Sequence, residues 1–273
     1  MFLEKLNTII STKKTLLCVG LDPDIEQIPP FLLSKLDPLL YFNQKIVEAT
    51  GPYAAAYKLN LAFYEALGIA GWDLLEKTLA LLPEDAVVIA DAKRADVPNT
   101  SRKYAEAYFK TYGFDAVTVS PYMGLDALEP FLEHEDRGIF VLCLTSNPGS
   151  ADFQQLPVNE DPLYLKVAER VMEWNFIYGN CGLVVGGTHF NEIERIRSVA
   201  PSLPFLIPGV GAQGGNLEWA VRYGTDERGL GALINASRSI LYASQDRDFD
   251  RAAAEKARAL RDQINQVLQA AGK

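Results

Sequence analysis

Histidine and cysteine are scarce: two and three respectively in 273 residues. His134 and His189 stand far apart, and neither belongs to an HExxH pattern, which removes the common histidine-based metal motifs and leaves surface or packing roles. Cys18, Cys143 and Cys181 are odd in number, lie in apolar runs and lack CxxC spacing. They read as reduced core thiols, not as a disulfide framework. No uninterrupted apolar run approaches the roughly 20 residues that span a bilayer. The opening Met-Phe-Leu-Glu-Lys has neither an apolar signal core nor a small-residue cleavage site. A cytoplasmic protein without a membrane partner is the expectation. Positive charge is also short, with 26 Lys and Arg against 35 Asp and Glu and a net charge of -9. That balance argues against a nucleic-acid partner, because backbone binders present a basic face. An anionic small molecule would need a local cationic site.

What is present is ordinary globular composition, 48% hydrophobic and 22% charged. Eight short runs rich in Val, Ile, Leu and Ala read as strands: 15 to 22, 54 to 60, 86 to 93, 116 to 120, 139 to 146, 182 to 188, 205 to 211 and 231 to 237. Between them, segments such as "PLLYFNQKIVEA", "FYEALGIAGWDLLEKTLALL" and "LYLKVAERVMEWNFIY" repeat apolar residues at three- and four-residue steps, the helical period. Near-continuous apolar strands alternating with helices imply a parallel sheet covered by helices. Eight such units fit a closed (β/α)8 TIM barrel, which typically takes about 250 residues. An open doubly wound sheet is the alternative, but "VGLDPD" lacks the glycine fingerprint that fold would want after its first strand. No low-complexity tract or Gly/Ser/Pro-rich linker divides the chain, so 1–273 is expected to be one domain. The charged amphipathic stretch at its end would complete the outer layer.

In such a barrel the functional groups sit at the carboxyl ends of the strands. Strand one ends at Asp22, strand two at Lys58 and Asn60, strand three at Asp91 and Lys93, strand five at Thr145 and Ser146, and strand eight at Asn235, Ser237 and Arg238. Alternation of faces puts Val87, Ile89, Asp91 and Lys93 on one side of the third strand, a core that opens into charge. A rim ion pair would explain Asp91 and Lys93 alone. Lys58, Asp22 and Asp96 converging on the same mouth favour a site, because clustered half-buried ionisable groups are costly unless they pair. After strand seven, "PGVGAQGG" (208 to 215) is either a tight turn or a phosphate cradle, and Gln213 with the cation Arg238 favours the cradle. The long segment "SNPGSADFQQLPVNED" begins at Ser146, whose hydroxyl suits a planar polar ligand; a merely exposed loop is the competing reading.

Six stretches occur in order between about residues 15 and 245: "LCVGLDPD", "YKLNLAFYEALG", "DAKRAD" with Thr100 after it, "TSNPGSADFQ", "PGVGAQGG" and "NASRSILYA". In these the chain resembles the orotidine 5'-phosphate decarboxylase family, and most of all its longer bacterial branch. The resemblance implies a (β/α)8 barrel homodimer that converts orotidine 5'-phosphate to UMP in pyrimidine synthesis, with no metal and no organic cofactor. It implies roles as well. Lys93 would protonate C6 beside Asp91, with Lys58 completing the charged row. Asp96 and Thr100 would reach the partner subunit's site. Asp22 and Asn60 would meet the ribose, Ser146 the pyrimidine edge, and Pro208, Gln213 and Arg238 the phosphate end. One departure is Ala95, where the family pattern leads to an expectation of glycine. A metal-dependent sugar-phosphate lyase of the same superfamily shares the DxKxxD pattern, but should carry an acidic ligand where this chain has Lys58. A non-catalytic nucleotide-binding barrel is the remaining rival.

Overall fold

The computed structural model describes residues 2–188, 190–210 and 216–273. Eight parallel strands close a barrel: β1 Leu17–Gly20, β2 Ala56–Asn60, β3 Val87–Arg94, β4 Ala116–Val119, β5 Gly138–Leu144, β6 Cys181–Val185, β7 Phe205–Ile207 and β8 Ala232–Ala236. Each pairs with its neighbours in sequence, and β8 closes on β1 through Leu17 opposite Ile234. The open-sheet alternative is thereby ruled out. The strands carry apolar residues on both faces because one face fills the barrel and the other meets the helices; every residue of β1, β4, β6 and β7 is buried.

All eight expected strands are found, mostly shorter than their apolar runs. The run 205 to 211 pairs only over Phe205–Ile207, and 15 to 22 only over Leu17–Gly20. The helical stretches Pro38–Thr50 and Leu163–Tyr178 form as their periodicity predicts. Local chemistry sets their ends. Asp37 Oδ1 accepts the Leu40 N–H at 3.3 Å with Pro38 in the first turn, and Gly179 stops the second helix at φ 75°. The stretch from Phe63 to Leu82 is not one helix. Gly68, at φ 63°, breaks it into Leu61–Glu65 and Ile69–Leu79. The final helix, Phe249–Ala270, buries Phe249, Ala253, Ala257 and Ile264 along one stripe and packs against Pro38–Thr50. An amino-terminal helix, Phe2–Lys13, sets Phe2 edge-on to Phe140 of β5, with ring centroids 6.0 Å apart. The three cysteines are buried and unbridged. Burial pushes the Cys18 and Cys181 thiols up to about 12, and so suppresses thiolate chemistry at neutral pH.

Gly71 shows packing overriding helix propensity. Alanine is favoured over glycine inside a helix by about 1 kcal/mol, yet a Cβ at Gly71 would lie 1.7 Å from the Tyr64 carbonyl oxygen. Backbone cannot swing aside as a side chain can. Gly71→Ala is expected to destabilise by about 1–3 kcal/mol, read as a lower urea midpoint with an unchanged slope. A raised midpoint would contradict this packing.

Candidate active site

With all eight strands parallel, their carboxyl ends ring one mouth, and a cavity of about 740 Å³ opens there. Its floor carries four charges of alternating sign. Lys58 Nζ donates to Asp91 Oδ2 at 2.8 Å and lies 3.9 Å from Asp22 Oδ1, while Lys93 Nζ donates to Asp91 Oδ1 at 2.5 Å. The order is Asp22, Lys58, Asp91, Lys93. Burial alone would push the Lys58 ammonium down, but the neighbouring carboxylates Asp22 and Asp91 outweigh it and hold the group above its usual value. Burial alone would raise Asp91, yet Lys58 and Lys93 outweigh it and hold the carboxyl well below the ordinary range. The two lysines differ in access. The Lys58 side chain is 4% exposed and locked between carboxylates, whereas that of Lys93 is 47% exposed and faces the open end of the row.

Strict alternation along β3 is not what brings Asp91 and Lys93 together. The β3–β4 ladder pairs Ala90 with Val117 and then Arg94 with Val119, so Asp91, Ala92 and Lys93 bulge opposite Thr118 alone. Lys93 takes φ 50°, a left-handed value uncommon for a residue with a Cβ. Thr118 Oγ1 accepts the Lys93 N–H at 3.0 Å and donates to Asp91 Oδ1 at 3.0 Å. Arg94 turns away from the cavity, pairs with Glu65 and stacks over Tyr104.

Asp22 is held from three elements. Its Oδ1 accepts the Asn60 N–H at 3.1 Å, its Oδ2 accepts the Ser237 hydroxyl at 2.8 Å, and its carbonyl accepts the Tyr242 hydroxyl at 3.0 Å. Asn60 also caps the helix after β2 by accepting the Ala62 N–H, so its backbone and side chain are fixed at the rim. Ser146 and Pro208 line the cavity, as does Arg238, whose guanidinium has no carboxylate partner among the described residues. Gln213 lies outside the described residues. The long segment after β5 is pinned at its base, where Gln154 Oε1 accepts the Thr145 N–H at 2.7 Å. Farther on it folds into a short hairpin pairing Pro157–Val158 with Asp161–Pro162.

Asp96 and Thr100 do not line this chain's own cavity. Asp96 Oδ1 accepts the Val97 N–H at 2.7 Å, and Thr100 sits in the first turn of the helix Pro98–Glu106. Ser101 Oγ clamps the turn by bonding both the N–H and the carbonyl of Asp96. Ala95 has no positive φ, so the departure from glycine costs no backbone strain.

Three of the cavity groups to which sequence reasoning gave no role are Thr118, Tyr242 and Asn235. Thr118 is buried in an apolar strand, where a β-branched residue signals nothing beyond strand propensity. Tyr242 sits one helical turn past Arg238, a spacing that could have pointed to it. Asn235 stood at a strand end without an assigned role; its Oδ1 is buried beside the cavity and finds no donor among the described residues. Among the described residues lining the pocket, three aspartates, Asp22, Asp24 and Asp91, balance three cations, Lys58, Lys93 and Arg238. A lysine at its centre can face developing negative charge and also give up a proton.

A family model described as Orotidine 5'-phosphate decarboxylase / HUMPS family matches residues 15–256. A Dehalococcoides mccartyi protein named orotidine 5'-phosphate decarboxylase is 50% identical over 268 residues, covering 97% of each chain. Among solved structures, the OMP decarboxylase of Leishmania donovani is similar with a TM-score of 0.85 and 39% identity over 97% of this chain and 98% of that one. A putative orotidine-monophosphate decarboxylase of Toxoplasma gondii is similar with a TM-score of 0.91 and 37% identity, over 98% and 96%.

Proposed function

The chain belongs to the orotidine 5'-phosphate decarboxylase / HUMPS family, and from that premise we propose that it is a cytoplasmic enzyme that decarboxylates orotidine 5'-phosphate to UMP for pyrimidine synthesis. The observation that carries the reading is the alternating row that ends in Lys93 at the open cavity. Loss of carbon dioxide from C6 of the pyrimidine leaves an electron pair in the ring plane, where it cannot spread into the π system. Stabilisation then falls to fixed charge. A lysine ammonium held in place before the reaction begins offers it without reorganisation and afterwards supplies the proton.

Each neighbour has a task in this scheme. Asp91 holds the Lys93 amine by its 2.5 Å contact and places negative charge beside the departing carboxylate, and Lys58 keeps Asp91 ionised. Asp22 and Asn60 take the ribose hydroxyls and Ser146 the pyrimidine edge. Arg238, with Gln213 and the backbone near Pro208, takes the phosphate, and binding energy gathered there supports the chemical step. Asp96 and Thr100 complete the site of a second copy of the chain. Exposed Val97, Tyr122, Met123 and Phe153 follow β3, β4 and β5 and offer apolar surface for such a copy to cover.

A metal-dependent sugar-phosphate lyase would need an acidic ligand at the end of β2, where Lys58 stands. The test is the ultraviolet absorbance of orotidine 5'-phosphate on adding purified protein, with and without EDTA. Absorbance should fall at the same rate in both. A flat trace, or loss of activity with the chelator, would contradict the reading.

A further inference from the structure

The bulge on β3 leaves the Lys93 N–H without a place in the β3–β4 ladder, since Thr118 is the only β4 residue between the paired positions Val117 and Val119. A half-buried backbone donor left out of the ladder still needs an acceptor, and here a side chain supplies it. Thr118 Oγ1 accepts that N–H at 3.0 Å and spends its own hydrogen on Asp91 Oδ1, also at 3.0 Å. With its one hydrogen and one of its lone pairs engaged and the residue 1% exposed, the hydroxyl is held in one orientation. The two groups it joins bear directly on the amine. One is the peptide N–H of the residue at φ 50°, and the other is the carboxylate oxygen that Lys93 Nζ itself contacts. A left-handed angle at a residue with a Cβ persists only where its surroundings impose it.

We propose that Thr118 is a positioning residue for the decarboxylation: its single hydroxyl fixes both the backbone angle of Lys93 and the rotation of the Asp91 carboxylate, and so aims the ammonium. The proposal rests on the functional reading above, in which Lys93 is the group that must be aimed. Thr118 makes no charge contribution of its own. Its effect should therefore appear in the chemical step and not in the binding of ribose or phosphate.

Thr118→Val keeps the β-branched shape and deletes the hydroxyl, whereas Thr118→Ser keeps the hydroxyl. With orotidine 5'-phosphate as substrate, Thr118→Val should lose about ten- to hundredfold in kcat, the scale of a small misplacement of a reacting group, with KM close to wild type. Thr118→Ser should restore kcat to within about threefold of wild type, a rescue that a purely packing role would not give. Thr118→Ala, the second hydroxyl-free variant, should match Thr118→Val and covers the case in which valine does not fold. Wild-type kcat in either hydroxyl-free variant, or a serine variant as slow as valine, overturns the proposal. Crystal structures of Thr118→Val or Thr118→Ala separate this from the functional reading: Lys93 should leave the left-handed region, and a retained φ overturns the inference whatever the substrate proves to be. A wild-type protein inert toward orotidine 5'-phosphate would instead count against the reading of function.

Discussion

Lys93→Ala is expected to yield a folded protein whose turnover of orotidine 5'-phosphate is lower by a factor of about 10⁴ or more. On the proposed mechanism two contributions disappear together. A preorganised group facing developing charge is worth about 10²–10³ in rate, and a positioned proton donor about 10²–10⁴. The fold should tolerate the loss, because the Lys93 side chain is 47% exposed and Asp91 keeps Lys58 and Thr118 as partners. A partly exposed ion pair contributes about 1 kcal/mol or less. The check is the absorbance assay on protein whose thermal unfolding midpoint lies within a few degrees of wild type. A variant with wild-type kcat would remove Lys93 from the mechanism.

Asp91→Asn is expected to damage stability as well as rate. The substitution keeps the size of the side chain but leaves Lys58 and Lys93 facing each other, with Lys58 only 4% exposed. Removing one partner of a buried pair strands the other charge, at a cost of about 3–5 kcal/mol; the lower end applies here because Asp22 remains 3.9 Å away. The pH dependence follows from the direction of the Asp91 shift. A carboxyl held below its usual value stabilises the fold fully above the unfolded value of about 3.9 and loses that contribution as pH falls through the native one. The raised Lys58 ammonium acts at the other limit, contributing fully below about 10.4 and fading as pH climbs beyond it. The gap in urea stability between wild type and Asp91→Asn should therefore be wide and level from about pH 5 to about pH 9, and narrow below about pH 4. A gap that is absent at pH 7, or that widens in acid, would contradict the electrostatic account of the row.

The barrel was readable from sequence because burial of both strand faces writes uninterrupted apolar runs. Where each strand stops was less readable. In 182 to 188 the glycines of "VVGGT" continue an apolar look beyond Val185, where pairing ends. Gly68 was the opposite case: helical periodicity runs through it, and only its φ of 63° splits the segment. The candidate site was legible where it is charged, since Asp22, Lys58, Asp91 and Lys93 sit at strand ends and meet across 2.5–3.9 Å. It was illegible where a neutral group does the holding. Thr118 looks like any strand residue until the bulge opposite it is seen. That bulge has no sequence mark either, because alternation alone already placed Asp91 and Lys93 on one face.

If Lys93 delivers the proton to C6 as proposed, that step must be reversible through the same amine. In deuterium oxide the wild-type protein should therefore exchange the C6 hydrogen of UMP for deuterium, seen as loss of that proton's NMR signal, while Lys93→Ala leaves the signal at the no-protein rate. Exchange in Lys93→Ala as fast as in wild type would show that another group handles the proton.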